Sequence, residues 1–184
     1  DNRRHRQMCI RDSLDTSGVN KKLKNSSYAF NYNDYNYLEN LVIKKNIRII
    51  IMEVVRNIRP KDNFLKKVRS LCDKYKCILI FDECTSGFRE KLGGIYKKYK
   101  VKPDMLILGK ALGNGYAINA LLGKKDIISK TKTSFISSTF WTERSGPTAA
   151  LKVLEIMERD KTQKFIISQG RKIKKFWKDI SLKY

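Results

Sequence analysis

Ile78-Leu79-Ile80-Phe81-Asp82-Glu83 and Met105-Leu106-Ile107-Leu108-Gly109-Lys110 decide how this chain folds. Each is a short run without polar interruption, the pattern of a strand buried in a parallel sheet. Each also ends on charge, Asp82-Glu83 in the first and Lys110 in the second. Upstream, Ile47-Arg48-Ile49-Ile50-Ile51-Met52 is a third such run, β-branched and apolar on both faces, ending at Glu53. Between it and Ile78, residues 62–75 place Phe64, Leu65, Val68, Leu71 and Cys72 on one helical stripe. This order predicts a βαβ unit with a right-handed crossover. Ligands of open α/β sheets gather outside the carboxyl ends of the strands. Asp82 and Lys110 are therefore expected to face one cleft.

Further elements follow on both sides. Asn33-Asp34 reads as a helix start, with Tyr37, Leu38, Leu41 and Val42 at helical spacing behind it. Tyr28-Ala29-Phe30 is strand-like. Residues 85–102 hold Gly87, Gly93 and Gly94 and predict a long functional loop with a short helix, which Pro103-Asp104 resets into the next strand. Gly113-Asn114-Gly115 is a turn, Ala117 to Leu122 a further strand, and Phe135 to Phe140 a short strand-like piece. A helix over about 145–159 puts Leu151, Leu154 and Met157 on one side. A last amphipathic helix sets Ile166, Ile173, Phe176, Trp177 and Ile180 against Lys172, Lys174, Lys175 and Lys178. Its apolar side is expected to pack on something this chain lacks. The Arg-rich, patternless residues 1–13 are expected to be a non-native terminal segment.

A chain of 184 residues can bury one sizeable core. No apolar run approaches the roughly 18 residues of a membrane span, and no signal peptide is visible. The expectation is a soluble cytoplasmic protein without membrane partners. The net charge of +22 raises a basic nucleic-acid-binding module as an alternative. Against it, the lysines are spread along the chain among abundant Ile, Asn and Tyr, as an AT-rich genome encodes. No basic block interleaved with aromatics appears, so no nucleic-acid partner is expected. The four cysteines, Cys9, Cys72, Cys77 and Cys84, form no CxxC pair, so a zinc site or redox dithiol is not indicated. His5 is the single histidine, which argues against histidine-based triads and a histidine-rich metal site.

A lysine that forms an imine, beside a carboxylate that keeps a pyridine nitrogen protonated, is the minimal apparatus for pyridoxal-phosphate chemistry. The small residues of Gly109-Lys110-Ala111-Leu112-Gly113-Asn114-Gly115 let backbone approach a planar cofactor closely. Taken alone, Asp82 is better explained as a turn cap and Lys110 as a surface charge. The phosphate loop GxxxxGK[ST] is absent.

Four ordered motifs add weight to the pair: Asp82-Glu83-Cys84-Thr85-Ser86-Gly87-Phe88-Arg89, Lys102-Pro103-Asp104, Gly109 to Gly115, and Ser137-Ser138-Thr139. Together they resemble the core of the class III aminotransferases, most like the glutamate-1-semialdehyde 2,1-aminomutase branch, over about residues 33–160. The resemblance implies a fold-type-I enzyme dependent on pyridoxal 5'-phosphate. Its large domain would be three-layer α/β/α with a mostly parallel sheet, and the enzyme would work as a homodimer with shared sites. Residues 14–160 would then be part of the cofactor-binding large domain, and 161–184 the start of a truncated small domain. Lys110 would carry the cofactor and Asp82 would pair with the pyridine nitrogen. Cys84 stands where the family usually has a ring-packing valine. Thr139, and less directly Ser138, would bind the cofactor phosphate. The substrate class implied is a small amino/keto or amino-aldehyde molecule. Two departures stand out. Glu53-Val54 replaces the family's usual Glu-Pro, and the family's N-terminal half and C-terminal domain have no counterpart here. A catalytically incomplete fragment is therefore a further expectation.

Overall fold

The computed structural model describes residues 26–136, 139–140 and 142–182. Its centre is a four-stranded sheet in the order β1 (Ile49–Glu53), β2 (Ile78–Asp82), β3 (Met105–Leu108) and β4 (Ala120–Gly123). The first three strands are parallel and β4 runs antiparallel to β3. The expected α/β architecture with a mostly parallel sheet is present.

Local chemistry explains the helices. Helix α1 (Tyr35–Lys44) starts where Asp34 accepts the backbone N–H of Tyr37 at 3.1 Å, as an N-cap carboxylate should. Helix α2 (Phe64–Tyr75) buries the stripe Phe64, Leu65, Val68, Leu71 and Cys72 and stops at Lys76, whose left-handed backbone closes the last turn. That stripe joins Ile50, Met52, Leu79, Phe81, Leu106 and Leu108 in one core. These six are alternate residues of β1 to β3, so they share one face of the sheet. The short α3 (Tyr96–Tyr99) interrupts the long loop between β2 and β3. After β4 come α4 (Lys125–Ile128), α5 (Ser145–Asp160) and α6 (Thr162–Ser181), with Lys161 in left-handed conformation breaking α5 from α6.

Several expectations need correction. β1 is apolar on both faces but not buried on both. Ile49 and Ile51 are 56% and 46% exposed, because the α2 core covers the opposite side. Tyr28-Ala29-Phe30 is irregular. That segment is tied down by side chains, with the Tyr32 hydroxyl donating to the Val54 carbonyl and its ring edge-on to Phe64. Phe135 and Ile136 are exposed and irregular, and Thr139-Phe140 form a turn, so no strand forms on the described part of 135–140. Leu151 faces outward. The buried side of α5 is Gly146, Ala150 and Met157.

One ion cluster staples the sheet to α2. Asp104, almost fully buried, accepts Arg69 Nη1 and the Leu79 backbone N–H on Oδ2, both at 2.8 Å, and Lys124 Nζ on Oδ1 at 2.6 Å. Burial alone would raise this carboxyl's pKa. The Leu79 N–H, Lys124 and Arg69 outweigh it and leave the pKa below the ordinary carboxylate value. Asp104→Ala should cost the fold about 3 kcal/mol, since it leaves Arg69 only the exposed Asp73 and takes the acceptor from the Leu79 N–H. A folded pKa depressed below about 3.9 adds stability above that pH and loses it as pH falls through the folded value. The wild-type denaturation midpoint should therefore drop more steeply than that of Asp104→Ala below about pH 4. Parallel acid profiles would refute the assignment.

Candidate active site at the carboxyl ends of the strands

β1, β2 and β3 deliver their last residues to one edge. Glu53 is in register with Asp82, and Asp82 with Ile107, three residues before Lys110. In-register residues of parallel neighbours point to the same face, so Glu53 and Asp82 stand side by side. Asp82 is half-buried, and its Oδ1 accepts the Cys84 backbone N–H at 2.9 Å, which curls the chain over the strand end. The bland reading of Asp82 as a turn cap is thus true as far as it goes. It occupies one oxygen.

Lys110 heads a single 3₁₀ turn, Lys110–Leu112, with its own φ at +46°. This left-handed conformation costs a lysine about 1–2 kcal/mol. Its exposed amine donates to Thr85 Oγ1 at 2.6 Å. Gly109 before it is extended, and a Cβ there would press on Asn119 Oδ1 and lie 3.2 Å from Cys84 Sγ, so the Asn119 side chain would have to turn aside.

The charges at this strand edge act on one another. Burial raises the pKa of Glu53. The charge of Asp82 raises it further, while Arg56 and Lys110 pull it down. Glu53 Oε1 lies 3.4 Å from Arg56, whereas Oε2 is buried with no hydrogen-bond partner among the described residues. Burial raises the Cys84 thiol too, helped by the charge of Asp82 and opposed by Lys110. A thiol held protonated in this way is a poor nucleophile. Cys72 and Cys77 are buried, and burial pushes the Cys72 thiol up to about 12. Among the described residues no cluster has the makings of a metal site, and no helix is long and apolar enough to cross a membrane.

The structure thus brings Asp82, Cys84 and Lys110 together. Thr139 sits in an exposed turn ahead of α5, and Ser138 lies outside the described residues. Sequence reasoning gave no role to Glu83, which is 0% exposed. Its carboxyl accepts Ile95 N–H at 2.6 Å, Tyr96 N–H at 2.8 Å and Ser86 Oγ at 3.2 Å. It therefore caps α3 and holds the loop that carries Thr85. Gly94 makes room for it, with φ +155° and a would-be Cβ 3.1 Å from Glu83 Oε1. Thr85 and Asn119 were missed as well; nothing in their spacing marks them.

Comparison with known proteins is consistent along the chain. The model of the family described as aminotransferase class-III matches residues 13–184. The 3-aminobutyryl-CoA aminotransferase of Cloacimonas acidaminovorans is 40% identical over 164 residues, which are 84% of this chain and 40% of that protein. The glutamate-1-semialdehyde 2,1-aminomutase of Sulfolobus acidocaldarius is 35% identical over 151 residues, 78% of this chain and 36% of that one. The chain thus spans less than half the length of these relatives. Among solved structures, the ornithine aminotransferase of Toxoplasma gondii, with pyridoxal phosphate at partial occupancy in its active site, superposes with a TM-score of 0.66. It is 27% identical, and the match covers 72% of this chain and 32% of that one. Sequence, strand order and matched length lead to one conclusion: the chain belongs to the class-III aminotransferase family.

Proposed function

We propose that the whole protein is a pyridoxal-phosphate-dependent aminotransferase or aminomutase acting on a small amino/keto or amino-aldehyde substrate. The observation that carries this reading is the meeting of Asp82 and Lys110 at one edge of the sheet without an ion pair between them among the described residues. A salt bridge would neutralise both groups. Apart, one can serve each end of a flat cofactor. The fit extends to the surroundings, where Gly109 leaves no side chain in the way and Glu53 keeps a buried oxygen unpartnered.

When bound, pyridoxal phosphate supplies an aldehyde for amines and a protonated ring that accepts electron density from a substrate carbon. The protein's part is distributed over few residues. Lys110 Nζ is the amine that holds the cofactor. The same Nζ would stand where it can take and return the proton of the substrate carbon bearing the amino group. Asp82 holds a proton on the ring nitrogen. Cys84, kept a thiol by burial, packs against the ring. Thr139 and Ser138 supply donors for the phosphate, and we place that contact across a homodimer interface. The protein acts in the cytoplasm, with no nucleic-acid partner.

Borohydride reduction of the cofactor-loaded enzyme, followed by peptide mapping, tests the core of this reading. The label is expected on Lys110. Label on any other lysine would sink the assignment.

A further inference from the structure

Lys110 is held in an unusual way for a lysine in a site with two carboxyls nearby. Its hydrogen bond goes to Thr85 Oγ1, at 2.6 Å, and to neither Asp82 nor Glu53. Thr85 is placed from below by a braced loop. The Gly87 N–H bonds the Glu83 carbonyl at 2.8 Å, the buried Glu83 carboxyl holds Ser86, Ile95 and Tyr96, and Arg89 Nε donates to the Thr85 carbonyl at 2.7 Å. The loop is thus anchored on both sides of Thr85, and the hydroxyl has a fixed place.

We propose that Thr85 is the positioning residue for the Lys110 amine, holding Nζ at the mouth of the site clear of both carboxyls. The proposal rests on the reading of Lys110 as the cofactor-carrying lysine. The chemistry favours a hydroxyl for this task. A carboxylate partner would lock the lysine as an ammonium and remove its lone pair from use. A hydroxyl accepts from the protonated amine and donates to the neutral one, so it keeps the amine in place through a change of protonation. Well-placed nucleophiles gain rate from orientation more than from affinity. Loss of the hydroxyl should therefore appear in rates, with binding little changed.

The groups that could substitute as partners are known from every element facing this amine. Glu53 comes from β1, with Arg56 beyond it, and Asp82 and Cys84 come from the end of β2. In Thr85→Val, which keeps the shape and removes the hydroxyl, the amine is free to fall onto these carboxyls.

The test uses the whole enzyme stripped of cofactor and reloaded with pyridoxal phosphate, following the rise of the bound-cofactor absorbance by stopped flow. Thr85→Val is expected to load about tenfold more slowly and to reach the same final occupancy. Thr85→Ser should load at the wild-type rate. In turnover, Thr85→Val should lower kcat about tenfold while the KM of the amino donor moves less than twofold. Far-UV circular dichroism shows whether each variant is folded, and Thr85→Ser, which barely perturbs the loop, keeps the question open to refutation should the valine variant fail to fold. Loading by Thr85→Val at the wild-type rate, or slow loading by Thr85→Ser, overturns the proposal. Peptide mapping on the same samples separates the two layers. Label on Lys110 with unchanged loading sinks only the role of Thr85, whereas label elsewhere sinks the reading of Lys110 and the proposal with it.

Discussion

Lys110→Ala is expected to abolish borohydride trapping of the cofactor and to lower turnover by at least about 10⁴-fold, the upper range of a lost acid–base group. The loss has two parts. Without Nζ there is no amine to hold the cofactor aldehyde, and without it no base stands by the substrate carbon. Lys110→Arg separates these roles from simple charge, because it keeps a cation near Thr85 but supplies no amine of usable basicity. It should be as inactive as the alanine variant. An added small primary amine can diffuse into the space vacated in Lys110→Ala and act as base, so it should restore part of the activity. Retained trapping, or turnover within tenfold of wild type, would remove Lys110 from the mechanism. Folding should be little affected, since Lys110 is exposed and alanine carries the same Cβ, so the left-handed backbone costs both residues about equally.

Where the sequence speaks of the fold, it speaks through contrast between apolar runs and what ends them. β2 and β3 are legible because four consecutive apolar residues precede a charge in each, and α2 because its five buried residues all carry large or sulfur-bearing side chains. On α5 the same pattern finds the helix and Met157 but puts Leu151 on the wrong side, for a physical reason. Its buried stripe is made of Gly146 and Ala150 as well as Met157, and small residues that permit close approach look like nothing in a hydrophobic pattern. Gly146 lies against Ala117, where a Cβ would sit 3.0 Å from the carbonyl oxygen. Leu151, the more apolar neighbour, is left 69% exposed. The strand-like readings at 28–30 and over the described part of 135–140 fail differently. Strand composition is necessary for a ladder, but a partner strand is also needed, and composition cannot supply one.

The site divides along the same line. Asp82 and Lys110 are visible as strand-end charges, while Glu83 and Thr85 act through groups that leave no trace in spacing. The Glu83 carboxyl works on backbone N–H groups 12 and 13 residues away, and Thr85 works across 25 residues. Only the folded loop brings such pairs together. The basic charge, by contrast, is conspicuous in sequence and contributes little to the site. Lys97, Lys98 and Lys152 bond neighbouring loop or helix groups, and α6 buries none of its residues.

Asp82 is where structure and chemistry can be pulled apart by mutation. Its Oδ1 holds the Cys84 N–H, so Asp82→Ala removes a turn-closing acceptor and the charge together. Losing that acceptor alone costs about 1–3 kcal/mol if the N–H is left unpaired. Asp82→Asn keeps an oxygen for Cys84 and removes only the negative charge. If Asp82 merely caps the turn, Asp82→Asn should be nearly as active as wild type and Asp82→Ala should suffer through instability. If it keeps the ring nitrogen protonated, both variants should lose turnover by about 10²–10³-fold, since a fixed charge aimed at the reacting system is gone. Both should still load the cofactor on Lys110, because that step needs the amine and not the ring charge. The expected result is therefore full borohydride labelling of Lys110 in Asp82→Asn, a wild-type unfolding midpoint, and turnover down by about three orders of magnitude at most. Activity within threefold of wild type in Asp82→Asn would return Asp82 to the role of a cap.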